Sequence, residues 1–339
     1  MQTILAPMEG VIDAEMRALL TSLGGFDRCV TEFVRVTEQR LPAKVFLRYA
    51  PELEQGGVTP SGVPVYLQLL GGNPRAMAFN AQRVAKLEPA GIDLNFGCPS
   101  KTVNRSDGGS ILLREPQRVF DIVKAVRDAV DPSIPVTAKI RLGFSNADHL
   151  LEIAHNIAVA GANELCIHAR TREDRYKPPA YWHLVKPVQR THCLPITING
   201  EIWSVEDALQ ARAVSGCTGV MLGRGVLRFP QLAAQLRAYD LGQGFEEFDW
   251  FGLQSRITDY LNSTQKRHKY FVGGRAKQWL GFLLRRYPQA GELFHRIKRL
   301  RFADEVLAEF DAFAAESKTT GYATVKTGPE PHAMELVKP

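Results

Sequence analysis

Eight short apolar segments rich in β-branched residues, each followed by a stretch of helical periodicity, fill the chain up to about residue 240. The segments, which we predict to be strands, are TILAPM, CVTEFV, PVYLQLL, GIDLNFG, PVTAKIRL, ELCIHA, PITING and TGVMLG. Asn73-Pro74 predicts a capped helix start, and Ser204 followed by two acids predicts another. Eight strand–helix units favour a (β/α)8 TIM barrel. The alternative, a doubly wound sheet, lacks its glycine-rich nucleotide signature after the first strand.

From residue 244 the strand pattern stops, and apolar residues recur at three- and four-residue steps. This periodicity predicts a small C-terminal all-α helical bundle after the barrel. The last stretch is polar, contains three prolines and has no periodicity, as a flexible tail would. We therefore expect a barrel domain at 1–243, a helical domain at 244–316 and a flexible tail at 317–339.

Positive charge is concentrated in one part of this second region. Residues 265–302 hold eleven Lys or Arg and one acid, a net charge of +10, whereas the whole chain carries +6. Such a local excess indicates a polyanionic partner. The alternative is a solvated helix face, although such faces usually alternate acids with bases.

The cellular location follows from what the sequence lacks. No apolar run is long enough to cross a bilayer, and the N-terminal MQTILAPMEG has no basic region of a signal peptide. The five cysteines are widely spaced and form no metal-site pattern, so we expect no metal and a reducing cytoplasm. Four of them lie in or beside apolar runs as small hydrophobes, and Cys98 is the exception.

In a (β/α)8 barrel the reactive groups collect at the C-terminal ends of the strands. Strand three ends near Gln68, strand five carries Lys139, and strand six ends at His168. The turns Asn199-Gly200-Glu201 and Gly223-Arg224-Gly225 are a candidate phosphate cradle. Each residue alone also has a structural interpretation, such as a buried histidine in the core or a lysine reaching the rim. Their coincidence at successive strand ends favours a binding site.

Cys98 lies in NFGCPSK, directly after strand four. Pro99 favours an extended backbone at Cys98, and Gly97 permits close approach by a flat ligand. Such a thiol is a candidate nucleophile, metal ligand or acid. A reference pKa of about 8.5 leaves a thiol mostly protonated at neutral pH, so a proton donor is chemically reasonable.

Six motifs in this order resemble the tRNA-dihydrouridine synthases: LAPMEGV, NFGCPSKTV, TAKIRLG, IHARTR, TINGEI and VMLGRG. The resemblance extends to about residue 300. GRAKQWLGFL and the segment Phe33-Val34-Arg35-Val36 are similar to the DusC subgroup, whose target is uridine 16 in the D-loop of tRNA.

The resemblance implies an FMN-dependent oxidoreductase that reduces the C5=C6 bond of a D-loop uridine to 5,6-dihydrouridine with NADPH, or NADH, as reductant. Reduced FMN would give a hydride to C6, and Cys98 would give a proton to C5. His168 would lie at the cofactor or at the bound uracil. The residues implied at the FMN are Pro7, Met8, Glu9, Gln68, Lys139, His168, Asn199, Gly200, Glu201, Gly223 and Arg224.

The resemblance also implies RNA contacts, because the uridine must leave its stacked position to react. Asn95 would help to hold the uracil, and Arg170 or Tyr176 would lie close to the incoming nucleotide. Backbone contacts are expected from Arg35, Arg275, Lys277, Arg285 and Arg286. In the same basic helix, Trp279, Leu280, Leu283 and Leu284 form a predicted core stripe. Nothing indicates an obligate protein partner, and we expect a monomer.

Two other functions remain open from the sequence. A flavin barrel that oxidises or reduces a free pyrimidine, as dihydroorotate dehydrogenases do, would explain the strand-end residues but not the basic helical segment. A tRNA-binding protein without catalysis would explain the charge but not the strand-end residues.

Overall fold

The computed structural model describes residues 1–191, 194–267 and 269–319. Cys193 and the part of the predicted tail from residue 320 onward lie outside the described residues.

The eight predicted strands are all present and form a closed parallel barrel in the order of the sequence. Each strand pairs with the next, and β1 closes the barrel on β8 with Leu5 opposite Leu222. The strands are β1 Thr3–Leu5, β2 Arg28–Arg35, β3 Val65–Leu70, β4 Gly91–Phe96, β5 Val136–Arg141, β6 Glu164–His168, β7 Ile196–Asn199 and β8 Gly219–Leu222. The TIM barrel prediction is confirmed.

Helices follow the strands as the sequence predicts. They are α1 Ala14–Ser22, α2 Ala43–Tyr49, α3 Pro74–Ala85, α4 Lys101–Arg105, α5 Pro116–Ala129, α6 Leu150–Val159, α7 Lys186–Thr191, α8 Val205–Ser215, α9 Arg224–Arg228 and α10 Leu232–Asp240. Both predicted caps are confirmed: Asn73 accepts a hydrogen bond from the backbone of Ala76, and Ser204 forms a reciprocal capping box with Asp207.

The barrel interior contains an apolar cluster and a buried ion pair. Ile4, Ala6, Val30, Tyr66, Cys166 and Met221 form the apolar cluster. Towards the N-terminal ends of the strands, Arg28 Nη2 lies 2.7 Å from Glu164 Oε1, and both side chains are buried. Because side chains alternate along a strand, these residues share the inner face with the polar groups nearer the other end.

The chain divides into two compact units. The first comprises Met1–Val226 and Pro230–Phe245, and the second comprises Leu227–Phe229 and the residues from Glu246 onward. The second unit contains α11 Trp250–Arg267, α12 Val272–Leu283, α13 Pro288–Ile297 and α14 Ala303–Thr319. Among the described residues, no helix combines the length and the apolar character that a membrane span requires.

One residue of the predicted stripe on α12 is not in the core. Trp279, Leu280 and Leu283 are buried, whereas Leu284 is 41% exposed. The prediction is wrong at Leu284 because α12 ends one residue earlier, so the helical periodicity no longer sets its direction. Trp279 also donates from its indole nitrogen to the Leu227 carbonyl at 3.1 Å, which fixes the ring within the second unit.

Candidate active site at the barrel mouth

The predicted reactive residues lie at one end of the barrel. Gln68, Lys139, His168 and Asn199 belong to β3, β5, β6 and β7, near or at their C-terminal ends. Cys98 follows β4 by two residues. The segments Pro7–Glu9 and Gly223–Arg224 follow β1 and β8. Since all eight strands are parallel, these positions converge at the barrel mouth.

The turn that carries Cys98 is held by the Asn95 side chain. Asn95 Oδ1 accepts hydrogen bonds from the backbone nitrogens of Gly97, at 2.9 Å, and Cys98, at 2.6 Å. The Cys98 carbonyl in turn accepts from Asn104 Nδ2 at 3.0 Å and from Ser110 Oγ at 2.9 Å. The backbone of Cys98 is therefore anchored on both sides, and its half-buried thiol has a fixed position.

The Asn95 amide is hydrogen-bonded to a chain of buried polar residues. Asn95 Nδ2 donates to Gln68 Oε1 at 2.7 Å, and Gln68 Nε2 donates to Asp93 Oδ2 at 2.7 Å. Thr137 Oγ1 donates to the other oxygen of Asp93 at 2.6 Å. A backbone N–H can only donate, so Gly97 and Cys98 fix the orientation of the Asn95 amide and, through it, that of the Gln68 amide, whose nitrogen then faces Asp93. The second N–H of Asn95 donates to no group in the described ranges and can serve a ligand.

The Cys98 thiol is protonated at neutral pH. Burial is the largest influence and raises the pKa of Cys98. A hydrogen bond from the Ser100 backbone lowers the pKa, the charge of Glu9 raises it, and the charge of Arg141 lowers it. The net result is an increase in the pKa. A thiol in this state can release a proton but is a poor nucleophile or metal ligand. Of the three roles open from the sequence, the acid fits best.

Lys139 and His168 present nitrogen groups to the mouth with few acceptors. Lys139 Nζ donates to Asn199 Oδ1 at 3.2 Å and forms no ion pair within the described part of the chain. Burial lowers its pKa. Burial, followed by the positive charges of Arg141 and Lys139, lowers the pKa of His168 well below the usual value, so its imidazole is neutral. Both side chains offer N–H donors to a ligand, and Lys139 adds positive charge when it is protonated.

Glu201 joins two arginines beside this group. Its backbone is left-handed, with φ of 53°, and it follows Gly200, whose φ is 114°. Its carboxylate lies 3.0 Å from Arg170 Nη2 and 3.2 Å from Arg224 Nη2. The expectation that Arg170 meets an incoming nucleotide is not supported, because Arg170 has no exposed surface. Arg170 instead orients the Glu201 carboxylate.

Tyr176 is the exposed alternative to Arg170. Half of its surface is accessible, and its ring centroid lies 5.2 Å from the Arg141 guanidinium carbon and 5.0 Å from that of Arg224. The His168 ring lies 6.1 Å away. Tyr176 therefore borders the mouth above its cationic groups, where an arriving base would meet an aromatic face.

Arg141 is a site residue that sequence reasoning missed. Its Nε donates to the Gly97 carbonyl at 2.7 Å, and its Nη1 donates to the carbonyls of Thr171, at 3.0 Å, and Arg175, at 2.8 Å. It therefore joins the Cys98 turn to the loop after β6. The available signal was its position two residues after Lys139, which places both cations on the same inner face of β5.

This donor set suits a flavin nucleotide. Lys139, which forms no ion pair among the described residues, lies at the mouth with His168 and the partly exposed Arg224. A partly buried cation such as Lys139, with no carboxylate partner among the described residues, favours an anionic ligand. The glycine turns at Gly200 and Gly223 supply backbone nitrogens close to Arg224, as a phosphate requires. The residues present are compatible with a ring at Lys139 and a phosphate at Arg224.

Comparisons with known proteins identify the family. Residues 4–269 match the dihydrouridine synthase (Dus) family. The chain belongs to this family. The tRNA-dihydrouridine(16) synthase of Shewanella oneidensis is 45% identical over 308 residues, which cover 91% of this chain and 96% of that protein. Its counterpart from Pseudomonas putida is 46% identical over 300 residues, 88% of this chain and 93% of that protein.

A solved structure shows only the same fold. Histamine dehydrogenase from Rhizobium sp. 4-9 matches with a TM-score of 0.52 and 15% identity, over 77% of this chain. The matched region is 48% of that longer protein, so this chain spans about half of its length. This likeness supports the barrel architecture and nothing about the reaction.

Glu9 of this dihydrouridine synthase lies close to a second carboxyl group. Partial burial and then the charge of Glu32 raise the pKa of Glu9 to about 7, although part of the side chain stays accessible to solvent. Glu32 occupies a bulge between β2 and β3 and accepts a hydrogen bond from the Val11 backbone at 3.0 Å. The sequence singled out Glu9 but not Glu32, because the bulge breaks the alternation of side chains in β2.

The expected RNA contacts in the helical unit of this dihydrouridine synthase differ in their surroundings. Arg285 is exposed, and Arg275 is half-buried and donates to Gln278. Lys277 donates to the Leu300 carbonyl at 2.6 Å. Arg286 pairs with Glu247 at 2.6 Å, so the expectation that its charge is free for phosphate is not supported.

Proposed function

We propose that this dihydrouridine synthase reduces the C5=C6 bond of a D-loop uridine in tRNA, uridine 16, to 5,6-dihydrouridine. The observation that carries the proposal is the protonated Cys98 thiol, fixed by Asn95 at the same barrel end as Lys139 and His168. The names of the relatives from Shewanella oneidensis and Pseudomonas putida support the substrate and its position. We place the reaction in the cytoplasm, where tRNA is found.

FMN is the cofactor that we propose for the mouth, with NADPH, or NADH, as the source of electrons. Bound FMN, once reduced, supplies a hydride to C6 of the uracil. Lys139 and Gln68 would hold the polar edge of the ring, and the Arg224 guanidinium would bind the phosphate. The positive charge of Lys139 favours a cofactor that becomes negative on reduction. The other residues proposed at the cofactor are Pro7, Met8, Glu9, His168, Asn199, Gly200, Glu201 and Gly223.

Cys98 acts as the general acid in this proposal. The S–H bond breaks as a C–H bond forms at C5, so that the hydride at C6 and the proton at C5 together complete the reduction. The thiolate that remains regains its proton from solvent. Because burial already favours the neutral thiol, Cys98 returns to its protonated form at neutral pH before the next turnover.

Asn95 and Tyr176 position the base. The free N–H of Asn95 can donate to a uracil carbonyl while its oxygen continues to hold the Cys98 turn. Tyr176 offers an exposed ring beside the mouth. Arg35 is half-buried at the end of β2, and Arg275, Lys277 and Arg285 remain candidates for contacts to the RNA backbone.

The two alternatives explain less. A dehydrogenase of a free pyrimidine needs no basic helical segment. A tRNA-binding protein without catalysis needs no protonated thiol fixed at the same barrel end as a lysine that forms no ion pair among the described residues. The relatives that match nearly the whole chain are named for a reaction on tRNA.

Substitution of the proton donor tests the proposal. The Cys98→Ala variant should bind FMN and accept electrons from NADPH, yet form dihydrouridine at least about a hundredfold more slowly, because only the acid is lost. Flavin absorbance, anaerobic flavin reduction and mass spectrometry of tRNA measure the three steps separately. A tRNA in which uridine 16 is the sole D-loop uridine tests the position.

Cys217→Ala is the matched control, since Cys217 is a buried thiol of the same barrel unit. It should lower stability modestly and leave dihydrouridine formation intact. Normal turnover by Cys98→Ala would exclude Cys98 as the acid, and a protein that never binds flavin would exclude the whole proposal.

A further inference from the structure

Two arginines of the barrel unit lie against one aromatic ring. The guanidinium carbon of Arg40 lies 4.3 Å from the centroid of the Phe79 ring, and that of Arg75 lies 5.4 Å from it. Arg40 belongs to the loop between β2 and α2, and Arg75 to the first turn of α3. Both arginines are exposed. Contact with the ring orients each guanidinium and leaves its N–H groups for another partner.

The charges of this pair are not neutralised. Within the described parts of the chain, neither Arg40 nor Arg75 forms an ion pair with a carboxylate. The first turn of α3 contains no acid, whereas the first turn of α8 contains Glu206 and Asp207. Because the N-terminus of a helix is itself positive, Arg75 is placed where a cation is disfavoured unless an anion binds there.

The loop that carries Arg40 is fixed rather than free. Asn80 is buried, and its Oδ1 accepts from the Leu41 backbone at 3.0 Å. Its Nδ2 donates to the Gln39 carbonyl at 3.1 Å and to the Ala76 carbonyl at 2.9 Å. The residues on both sides of Arg40 are therefore held against α3, so little conformational entropy is lost when Arg40 binds a ligand.

The pair lies on the face of the barrel that carries the active site. Its arginines follow β2 and β3, and connections from a strand to the next helix lie at the C-terminal ends of the strands, around the mouth. Arg35 ends β2 on the same side. Residues 35–48 include four basic residues, with Arg35 and Arg48 at the two ends, and one acid, Glu38.

We propose that Arg40 and Arg75, arranged on Phe79, bind a backbone phosphate of the tRNA whose uridine enters the mouth. This proposal rests on the function proposed above and adds a contact on the barrel unit. A phosphodiester offers two oxygens to the N–H groups of two oriented guanidiniums. Such contacts position the RNA without reading its sequence.

The Arg40→Ala/Arg75→Ala double variant tests the contact. Its affinity for tRNA should fall about tenfold at low salt, as expected for loss of charge-assisted hydrogen bonds to phosphate. The slope of log Kd against log salt should fall by about 0.7 to 1, as expected for one lost phosphate contact. Phe79→Leu, which keeps both charges but removes the ring, should weaken binding less than the double variant does.

Arg83→Ala is the matched control, because Arg83 is exposed on the last turn of α3 and should leave tRNA affinity unchanged. Unchanged affinity and salt slope in the double variant would overturn the contact, even if wild type makes dihydrouridine normally. A defect confined to flavin reduction by NADPH, with tRNA binding intact, would also overturn it and assign the arginines to the phosphates of the dinucleotide. Failure of wild type to bind tRNA would refute both this contact and the proposed function.

Discussion

The two ends of the barrel interior differ in whether their cations have carboxylate partners. Near the N-terminal ends of the strands, Arg28 pairs with Glu164 at 2.7 Å, and Thr197 Oγ1 donates to the same carboxylate oxygen at 2.8 Å. At the mouth, Lys139 and Arg141 lie on the inner face of one strand, and neither forms an ion pair among the residues that the structure describes. The cation near the N-terminal ends is neutralised within the protein. At the mouth, Glu201 pairs with Arg170 and Arg224, which leaves Lys139 and Arg141 without a carboxylate partner among the described residues.

Two arginines show the difference directly. Burial lowers the pKa of Arg28, but the neighbouring Glu164 outweighs it, and the pKa rises. Burial also lowers the pKa of Arg141, and the interaction with Tyr176 offsets this only in part. The positive charge of Arg170 lowers the pKa further, so the net shift is downward. The same side chain is thus stabilised as a cation at one end and destabilised at the other. The unbalanced charge is kept where the proposed FMN and RNA phosphates would bind.

The largest expected effect is near the N-terminal ends of the strands. The Glu164→Ala variant leaves the Arg28 charge buried without its partner, and the free energy of unfolding should fall by about 3 to 5 kcal/mol. Urea unfolding of the flavin-free protein measures it. Replacement of both partners, Arg28→Met with Glu164→Leu, should recover most of the loss, because the uncompensated charge is gone. A loss below about 1 kcal/mol in Glu164→Ala would show that water or relaxation compensates Arg28.

A change at the mouth should separate stability from binding. The lowered pKa of Lys139 means that the folded state resists its protonation, so the cation opposes folding below that pKa. Lys139→Met should therefore leave the flavin-free protein as stable as wild type, or more stable by about 1 kcal/mol, while weakening FMN binding. Urea unfolding and flavin titration of one preparation give both values. If Lys139→Met lowered the free energy of unfolding by more than about 2 kcal/mol, Lys139 would be a residue that stabilises the folded protein, contrary to this prediction.

The sequence predicts the fold well because the relevant signals are local. β-Branched runs mark all eight strands, and Asn73 and Ser204 cap helices through bonds to residues three positions away. Leu284 is an error for the same reason: helical periodicity cannot say where a helix ends. Local patterns therefore predict the elements and leave their last residues undetermined.

The site was only partly predictable, because its contacts cross between strands. Cys98, Lys139 and His168 could be chosen from their positions at strand ends. The role of Asp93 depends on β3 and β4 placing it beside Gln68, with which it pairs in the sheet. Arg286 was misjudged because its partner, Glu247, lies 39 residues earlier in the chain. Charge counts along the sequence cannot show which cations are already paired.

The smallest expected effect concerns a carboxyl group at the mouth. The pKa of Glu9 is about 7, against an ordinary 4.5, so the folded protein keeps a proton that the unfolded chain releases within this range. Ionisation of Glu9 therefore opposes folding, and its contribution to stability falls as pH rises from 4.5 to about 7 and is constant above.

Glu9→Gln removes this titration and tests whether the mouth disfavours a negative charge at position 9. Relative to wild type, Glu9→Gln should lose less free energy of unfolding when the pH rises from about 5 to about 7.5. The gain at the higher pH should stay below about 1 kcal/mol, because solvent that reaches Glu9 screens its charge. Urea unfolding of the flavin-free protein at both pH values measures it. Glu54→Gln, at an exposed carboxyl group of the same barrel unit, is the control. An identical pH dependence in Glu9→Gln and wild type would mean that Glu9 titrates normally and that the charge imbalance of the mouth is confined to its cations.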